Sequence, residues 1–461
     1  MKEYDVVVIG SGAALHIVEN AMSHGFSTAL IDRGPLGGTC LNVGCIPSKM
    51  LIYPGDRVME IMDSEKLGVT AEIKDIDFNA IMKRMTRTVS MGEAHIREGI
   101  RLAEELDFYE GQGHFIGEHT IEINGEQVRG KRIFIASGAR PEIPAIPGTD
   151  TIDFLTNESL LNLKTRPESL IILGGGYIAA EYAHFFSAMG SAVTILQRNK
   201  RIVPDEEPEV SELLKRKFAA RMKVFTNTEA VSIKKSGLDC EVTSGERGSG
   251  KERKFSAEKI LLATGRTSNA DLLRVEDTGV ETDKRNFIKV NEYFETSTKN
   301  IWAFGDALGR KMFRHVANKE AAVVFRNVFH NSKETVDYLS APHAVFTWPE
   351  IASVGLTEEE ARQRYHTHDL LVGKANYSDV ARGEAMMEEE GFCKAIVKKD
   401  GDKILGFHII GQQASILIQE VVITMANNLN IRAMNKGMHI HPSLSEVVMA
   451  TLGNLEEAGP V

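Results

Sequence analysis

Tyr4-Asp5-Val6-Val7-Val8-Ile9-Gly10-Ser11-Gly12-Ala13-Ala14-Leu15 opens the chain with an apolar run, a glycine turn and the start of an amphipathic stretch. A short, nearly continuous apolar run fits a parallel strand covered on both faces. The amphipathic stretch ends near Gly25, and a second apolar run follows from Ser27 to Asp32. This order predicts a βαβ unit, with Gly10 and Gly12 where a pyrophosphate meets a helix N-terminus. The pattern recurs at Leu170-Ile171-Ile172-Leu173-Gly174-Gly175-Gly176-Tyr177-Ile178-Ala179, ends near Gly190 and runs on into Ala192 to Gln197. One G-x-G-x-x-G is weak evidence, because glycine turns between strand and helix are common. Two copies in matching contexts predict two dinucleotide-binding units. The first departs from the pattern at Leu15, where Gly or Ala is usual; the second carries Ala179, an accepted variant.

The residue ending the second strand of each unit reports on the ribose. Asp32, 22 residues after Gly10, can accept hydrogen bonds from ribose hydroxyls, which fits the adenosine half of FAD. The equivalent residue in the second unit is Gln197, followed by Arg198, Asn199, Lys200 and Arg201. A carboxylate there would repel a 2′-phosphate, whereas a neutral side chain with basic neighbours favours one. The reading leans to NADPH and leaves NADH open; a merely solvated basic loop is the plain alternative.

Between the two units lies Gly37-Gly38-Thr39-Cys40-Leu41-Asn42-Val43-Gly44-Cys45-Ile46-Pro47-Ser48-Lys49, with two of the four cysteines of the chain. Cysteines five positions apart can form a disulfide, and Lys49, one helical turn past Cys45, can lie beside its sulfur and favour a thiolate. For an arbitrary C-x4-C, two buried structural cysteines are the default; Cys240 and Cys393 have no partner motif and read as simple core or surface residues.

Composition narrows the class. At 461 residues the chain has material for about three domains. Four cysteines do not staple such a length, so a reducing cytoplasm is the expected location and a disulfide there is catalytic rather than structural. Met1-Lys2-Glu3-Tyr4-Asp5 offers no signal peptide, and the most apolar stretch, near Ile171 to Met189, is interrupted by Glu181 and His184. A net charge of −10 argues against nucleic acid as a partner. His439-Ile440-His441-Pro442-Ser443-Leu444-Ser445-Glu446 sets two histidines near a carboxylate. No third or fourth ligand is spaced for zinc, so no metal is expected; a histidine oriented by a carboxylate suits general-base work.

With a disulfide segment between two dinucleotide units, the chain resembles the FAD-dependent pyridine nucleotide–disulfide oxidoreductases over essentially its whole length. Ala136-Ser137-Gly138-Ala139-Arg140-Pro141, Ala263-Thr264-Gly265-Arg266, Ile301-Trp302-Ala303-Phe304-Gly305-Asp306 and the stretch Pro342 to Glu358 are similar to further family segments. The resemblance implies an α/β fold with two Rossmann-like domains, for FAD and NAD(P), and a C-terminal α+β dimerisation domain. Its boundaries are expected at 1–145 and 270–335 for FAD, 146–269 for NAD(P) and 336–461 for dimerisation.

It also implies site residues. Gly10, Gly12, Asp32, Gly38, Thr39, Lys49, Gly113, Ser137, Gly138 and Asp306 are expected at FAD, Asp306 on its ribityl chain. Gly174, Gly176, Tyr177, Ile178, Gln197, Arg198 and Gly265 are expected at the nicotinamide nucleotide, with Glu181 paired to Lys49 near the flavin. Cys45 is expected to face the flavin, and the more accessible Cys40 to exchange with substrate. His441, oriented by Glu446, would serve as base across a homodimer interface.

Among relatives, Leu41 to Lys49 is closest to dihydrolipoamide dehydrogenase, because Ser48 stands where glutathione reductase usually has a second lysine. Asn42 to Tyr53, His439 to Val448 and the irregular first turn also resemble mycothione reductase. Glu446 to Val461 has no cysteine pair of the mercuric reductase kind. The expected function is therefore dihydrolipoamide dehydrogenase-like, acting on a lipoyl-type or small-molecule dithiol or disulfide. NADPH-dependent reduction of a small disulfide comes second, and a non-catalytic FAD-binding redox sensor is a third reading from another class.

Overall fold

A computed structural model describes residues 1–459. Its first sheet sets Leu106–Glu110, Thr28–Asp32, Lys2–Ile9 and Glu126–Ile135 side by side in parallel. Val6, Val7 and Val8 are fully buried, as a strand with parallel neighbours on both sides and helices over its faces requires. Ile301–Ala303 returns much later in the chain and pairs in parallel with the end of Glu126–Ile135. The short strands Thr120–Ile123 and His114–Gly117 extend the sheet antiparallel.

The second glycine turn organises a smaller parallel sheet, ordered Lys223–Phe225, Ala192–Leu196, Ser169–Leu173 and Lys259–Leu262. A three-stranded antiparallel meander, Thr228–Ser236, Asp239–Glu246 and Glu252–Ala257, stands beside it. The chain crosses between the two units twice, and the crossings pair as the ribbon Ala139–Pro141 with Arg266–Ser268. The last unit is a six-stranded antiparallel sheet from His343–Val345 to Leu455–Glu457, packed against the helices Ala414–Ala426 and Glu446–Gly453.

Leu15 is accommodated without disturbing the first turn. Ala14 is the fully buried residue there, whereas Leu15 begins the helix Leu15–Ser23 only partly buried. Cys240 and Cys393 are buried in the cores of the second and third units. The helix Cys45–Asp63 packs along Tyr177–Ala188, with Gly55 letting His184 and Ala188 approach. No helix among the described residues is long and apolar enough to cross a membrane.

Candidate active site

A cavity of about 1230 Å³ runs between the three units, larger than the ~300–1,000 Å³ of common small-molecule pockets and suited to a dinucleotide. Gly10, Gly12, Asp32, Gly38, Thr39, Gly113, Ser137, Gly138 and Asp306 all lie on its wall. So do Cys40, Cys45, Lys49, Tyr177, Ile178 and Glu181. Gly10 takes φ +104°, and a Cβ on it would stand 2.4 Å from the Ala136 carbonyl oxygen, so strand and turn close only around glycine. Asp32 ties the turn as well as facing the cavity: its carboxylate accepts from the Ser11 and Gly34 amides, both at 2.6 Å.

The residues present fit FAD. Backbone amides at the start of Leu15–Ser23 offer an anion seat, Asp32 offers ribose acceptors, and the Ser137 hydroxyl and Arg266 Nε stand buried beside the cavity without protein partners. Burial pushes the Asp306 carboxyl up, and Arg266 and Arg314 draw it back down.

The thiols are set by two consecutive helices. Cys40 lies within the short helix Gly38–Asn42, and Cys45 is the first residue of Cys45–Asp63. Asn42 holds the loop by donating to the carbonyls of Leu36 (2.8 Å) and Gly38 (3.0 Å). Cys40 and Cys45 are both described as thiols. Cys45 is exposed and Cys40 intermediate, and both thiols line the cavity in which FAD would lie.

The two thiols are shifted in opposite directions. The Cys40 thiol donates to Cys45, and this hydrogen bond, aided by Lys49, draws Cys45 down to about 7 against the opposing effects of burial and Glu181. The same bond and burial push the Cys40 thiol up. Lys49 Nζ in turn donates to both Glu181 oxygens at 2.8 Å and stands 4.6 Å from the centre of the Phe346 ring. Glu181, 4% exposed, also accepts from the Phe346 amide at 3.1 Å.

His441 and Glu446 meet elsewhere. A carboxylate only accepts, so the 2.8 Å contact places the proton on His441 Nδ1, donating to Glu446 Oε1 and leaving Nε2 free. The Ser443 amide donates to the other oxygen at 2.9 Å and, with His441, holds the Glu446 carboxyl below its usual range. The His441 side chain is 74% exposed in the single chain and does not line the cavity.

At the second turn Gly174 takes φ +116°, and a Cβ there would stand 2.2 Å from the Ala263 carbonyl oxygen. Gln197 is buried against Gly175, its amide donating to the Arg201 carbonyl at 3.2 Å. Arg198 and Lys200 are exposed, while Arg201 reaches Glu359 at 3.3 Å. Gly174, Gly176, Gln197, Arg198 and Gly265 lie off the main cavity, on the second unit. Sequence reasoning missed Asn157, whose amide donates to the Val43 carbonyl at 3.0 Å, and Phe346 beneath Lys49. Asn157 belongs to no motif; Phe346 falls in the segment Pro342 to Glu358, where its role depends on tertiary contact alone.

The family model for pyridine nucleotide-disulphide oxidoreductases matches residues 4–321, and that of the family's dimerisation domain matches 341–452, which supports a homodimer. Mycothione reductase of Mycobacterium tuberculosis is 33% identical over 97% of this chain and 98% of its own length. Dihydrolipoyl dehydrogenase of Synechocystis sp. is 32% identical over 97% of both chains, and mercuric reductase of Staphylococcus aureus 31% over 96% of this chain and 81% of its own. The solved structure of HOCl-induced flavoprotein disulfide reductase RclA from Escherichia coli superposes with a TM-score of 0.86 at 27% identity, over 98% of this chain and 99% of that one. FAD and NAD(P)H are the cofactors of this family, and the glycine turns, the thiol pair and the C-terminal sheet agree with it: the chain belongs to the pyridine nucleotide-disulphide oxidoreductases.

Proposed function

We propose that this protein reduces a small-molecule disulfide with NADPH through Cys40 and Cys45. The observation that carries the reading is the placement of Cys40, Cys45 and Lys49 on one cavity wall, where Cys40 and Lys49 draw the Cys45 thiol down to about 7 and the Cys40 thiol is pushed up. Cys40 then needs a base to become a nucleophile, and the partner subunit's His441 supplies one through Nε2. The Cys40 thiolate attacks the substrate disulfide, giving a mixed disulfide, and the released thiolate takes the proton from the His441 imidazolium. The Cys45 thiolate attacks the Cys40 sulfur, leaving a Cys40–Cys45 disulfide and releasing the second substrate thiolate, which takes its proton from water. Held by Gly10, Gly12, Asp32 and Asp306, FAD would supply the two-electron link between the nicotinamide hydride and the Cys40–Cys45 disulfide. Lys49 steadies the negative charge on Cys45.

Exposed Arg198 and Lys200, with no carboxylate at position 197, favour a 2′-phosphate and hence NADPH. A dihydrolipoamide dehydrogenase-like reaction is the second reading. It rests on the Leu41–Lys49 segment, where Ser48 is buried and donates to the Cys45 carbonyl at 3.2 Å. A steady-state screen of lipoamide, glutathione disulfide and mycothiol disulfide against NADPH and NADH separates the two. The proposal expects NADPH-driven turnover of a small disulfide, weakened on the NADPH side alone by Arg198→Ala. Preferential NAD-linked oxidation of dihydrolipoamide would favour the second reading instead.

A further inference from the structure

Arg314 is a cation of the cofactor cavity that acts on Asp306 and Cys40 from a distance but forms no ion pair or hydrogen bond among the described residues. It begins the helix Arg314–His330, lines the cavity and is half-buried. Nearby arginines are committed: Arg310 to Tyr338, Arg326 to Glu334 and Arg266 to the Ala139 carbonyl. Arg314 donates to no protein oxygen among the described residues, and Glu19, which borders the same recess, forms no ion pair with it. A half-buried guanidinium that lines the cavity without a hydrogen-bond partner is placed to meet an anion there.

The place of that anion follows from the first glycine turn. Arg314 NH1 lies 3.9 Å from where a Cβ on Gly12 would stand, so the guanidinium hangs over the turn itself. The helix Leu15–Ser23 starts there with no acidic residue in its first turn, and its free amides and dipole favour negative charge at the same spot. We propose that Arg314 is a clamp on the diphosphate of FAD, closing over Gly12 beside the start of the helix Leu15–Ser23. The planar fork of a guanidinium matches phosphate oxygens in pairs. The clamp joins chain segments some three hundred residues apart, so FAD itself fastens the returning segment to the first βαβ unit.

The test follows FAD release from the purified holoenzyme, by the rise in free-flavin fluorescence on dilution into graded potassium chloride. Arg314→Met should release FAD about tenfold faster or more, and with a weaker salt dependence than wild type. Arg314→Lys, which keeps a charge but not the fork, should fall between them. If Arg314→Met does not fold, Arg314→Gln serves the same comparison. Release rates and salt dependence equal to wild type would overturn the proposal. So would a raised KM for the disulfide with FAD release unchanged, because the guanidinium would then act toward Cys40 rather than the diphosphate.

Discussion

Lys49 and Glu181 act on Cys45 with opposite signs, which makes the thiol a direct probe of the site. Cys45 is drawn to about 7, so its thiolate fraction, and its rate of alkylation, should rise as pH increases through that value. Lys49→Met removes the cation and should move the midpoint up by about one pH unit; Glu181→Gln removes the opposing carboxylate and should move it down. Mass-resolved alkylation of the reduced protein across pH measures both. A midpoint indifferent to both changes would separate Lys49 from the thiol. At His441 the free Nε2 is the group at stake: His441→Gln should lower turnover about 10²–10⁴-fold and remove one limb of the pH–rate profile, with FAD content unchanged.

At the scale of elements, the two glycine turns explain why so much of the fold is legible in sequence. Gly10 and Gly174 are each required by a close approach of their own backbone to the neighbouring strand, and that demand leaves a local mark. Gly10→Ala and Gly174→Ala should each cost about 2–4 kcal/mol from strain and overpacking. Gly25, at φ +75° with open space around it, should lose only about 1–2 kcal/mol as alanine. Thermal denaturation ranks the three, and equal losses would show that the close contacts do not matter. The Lys49–Glu181 and His441–Glu446 pairs were legible only through the resemblance, since spacing alone makes them ordinary charged residues. Asn157, Phe346 and Arg314 left no mark, because their partners lie 114, 165 and about 300 residues away, and no periodicity reports that.

For the whole molecule, charge fastens the second unit to the C-terminal sheet. Lys394, on the strand Phe392–Lys398, reaches Glu207 at 2.6 Å, Glu358 at 2.7 Å and Glu209 at 2.9 Å, and its side chain is only 6% exposed. Lys394→Met would leave the buried Glu207 carboxylate without this cation and should destabilise the protein by about 3–5 kcal/mol, read from urea denaturation. Across subunits, His441 stands exposed and apart from Cys40 within one chain, which is why a site completed by the partner is proposed. Mixed Cys45→Ser and His441→Ala chains should recover activity that neither has alone, through dimers holding one intact site. The most direct measurement is a thiol map: air-oxidised protein, made anaerobic and then treated with NADPH, is alkylated and analysed by mass. NADPH should make Cys40 and Cys45 newly reactive while Cys240 and Cys393 stay unchanged. A pair equally reactive before and after NADPH would contradict electron delivery to these thiols.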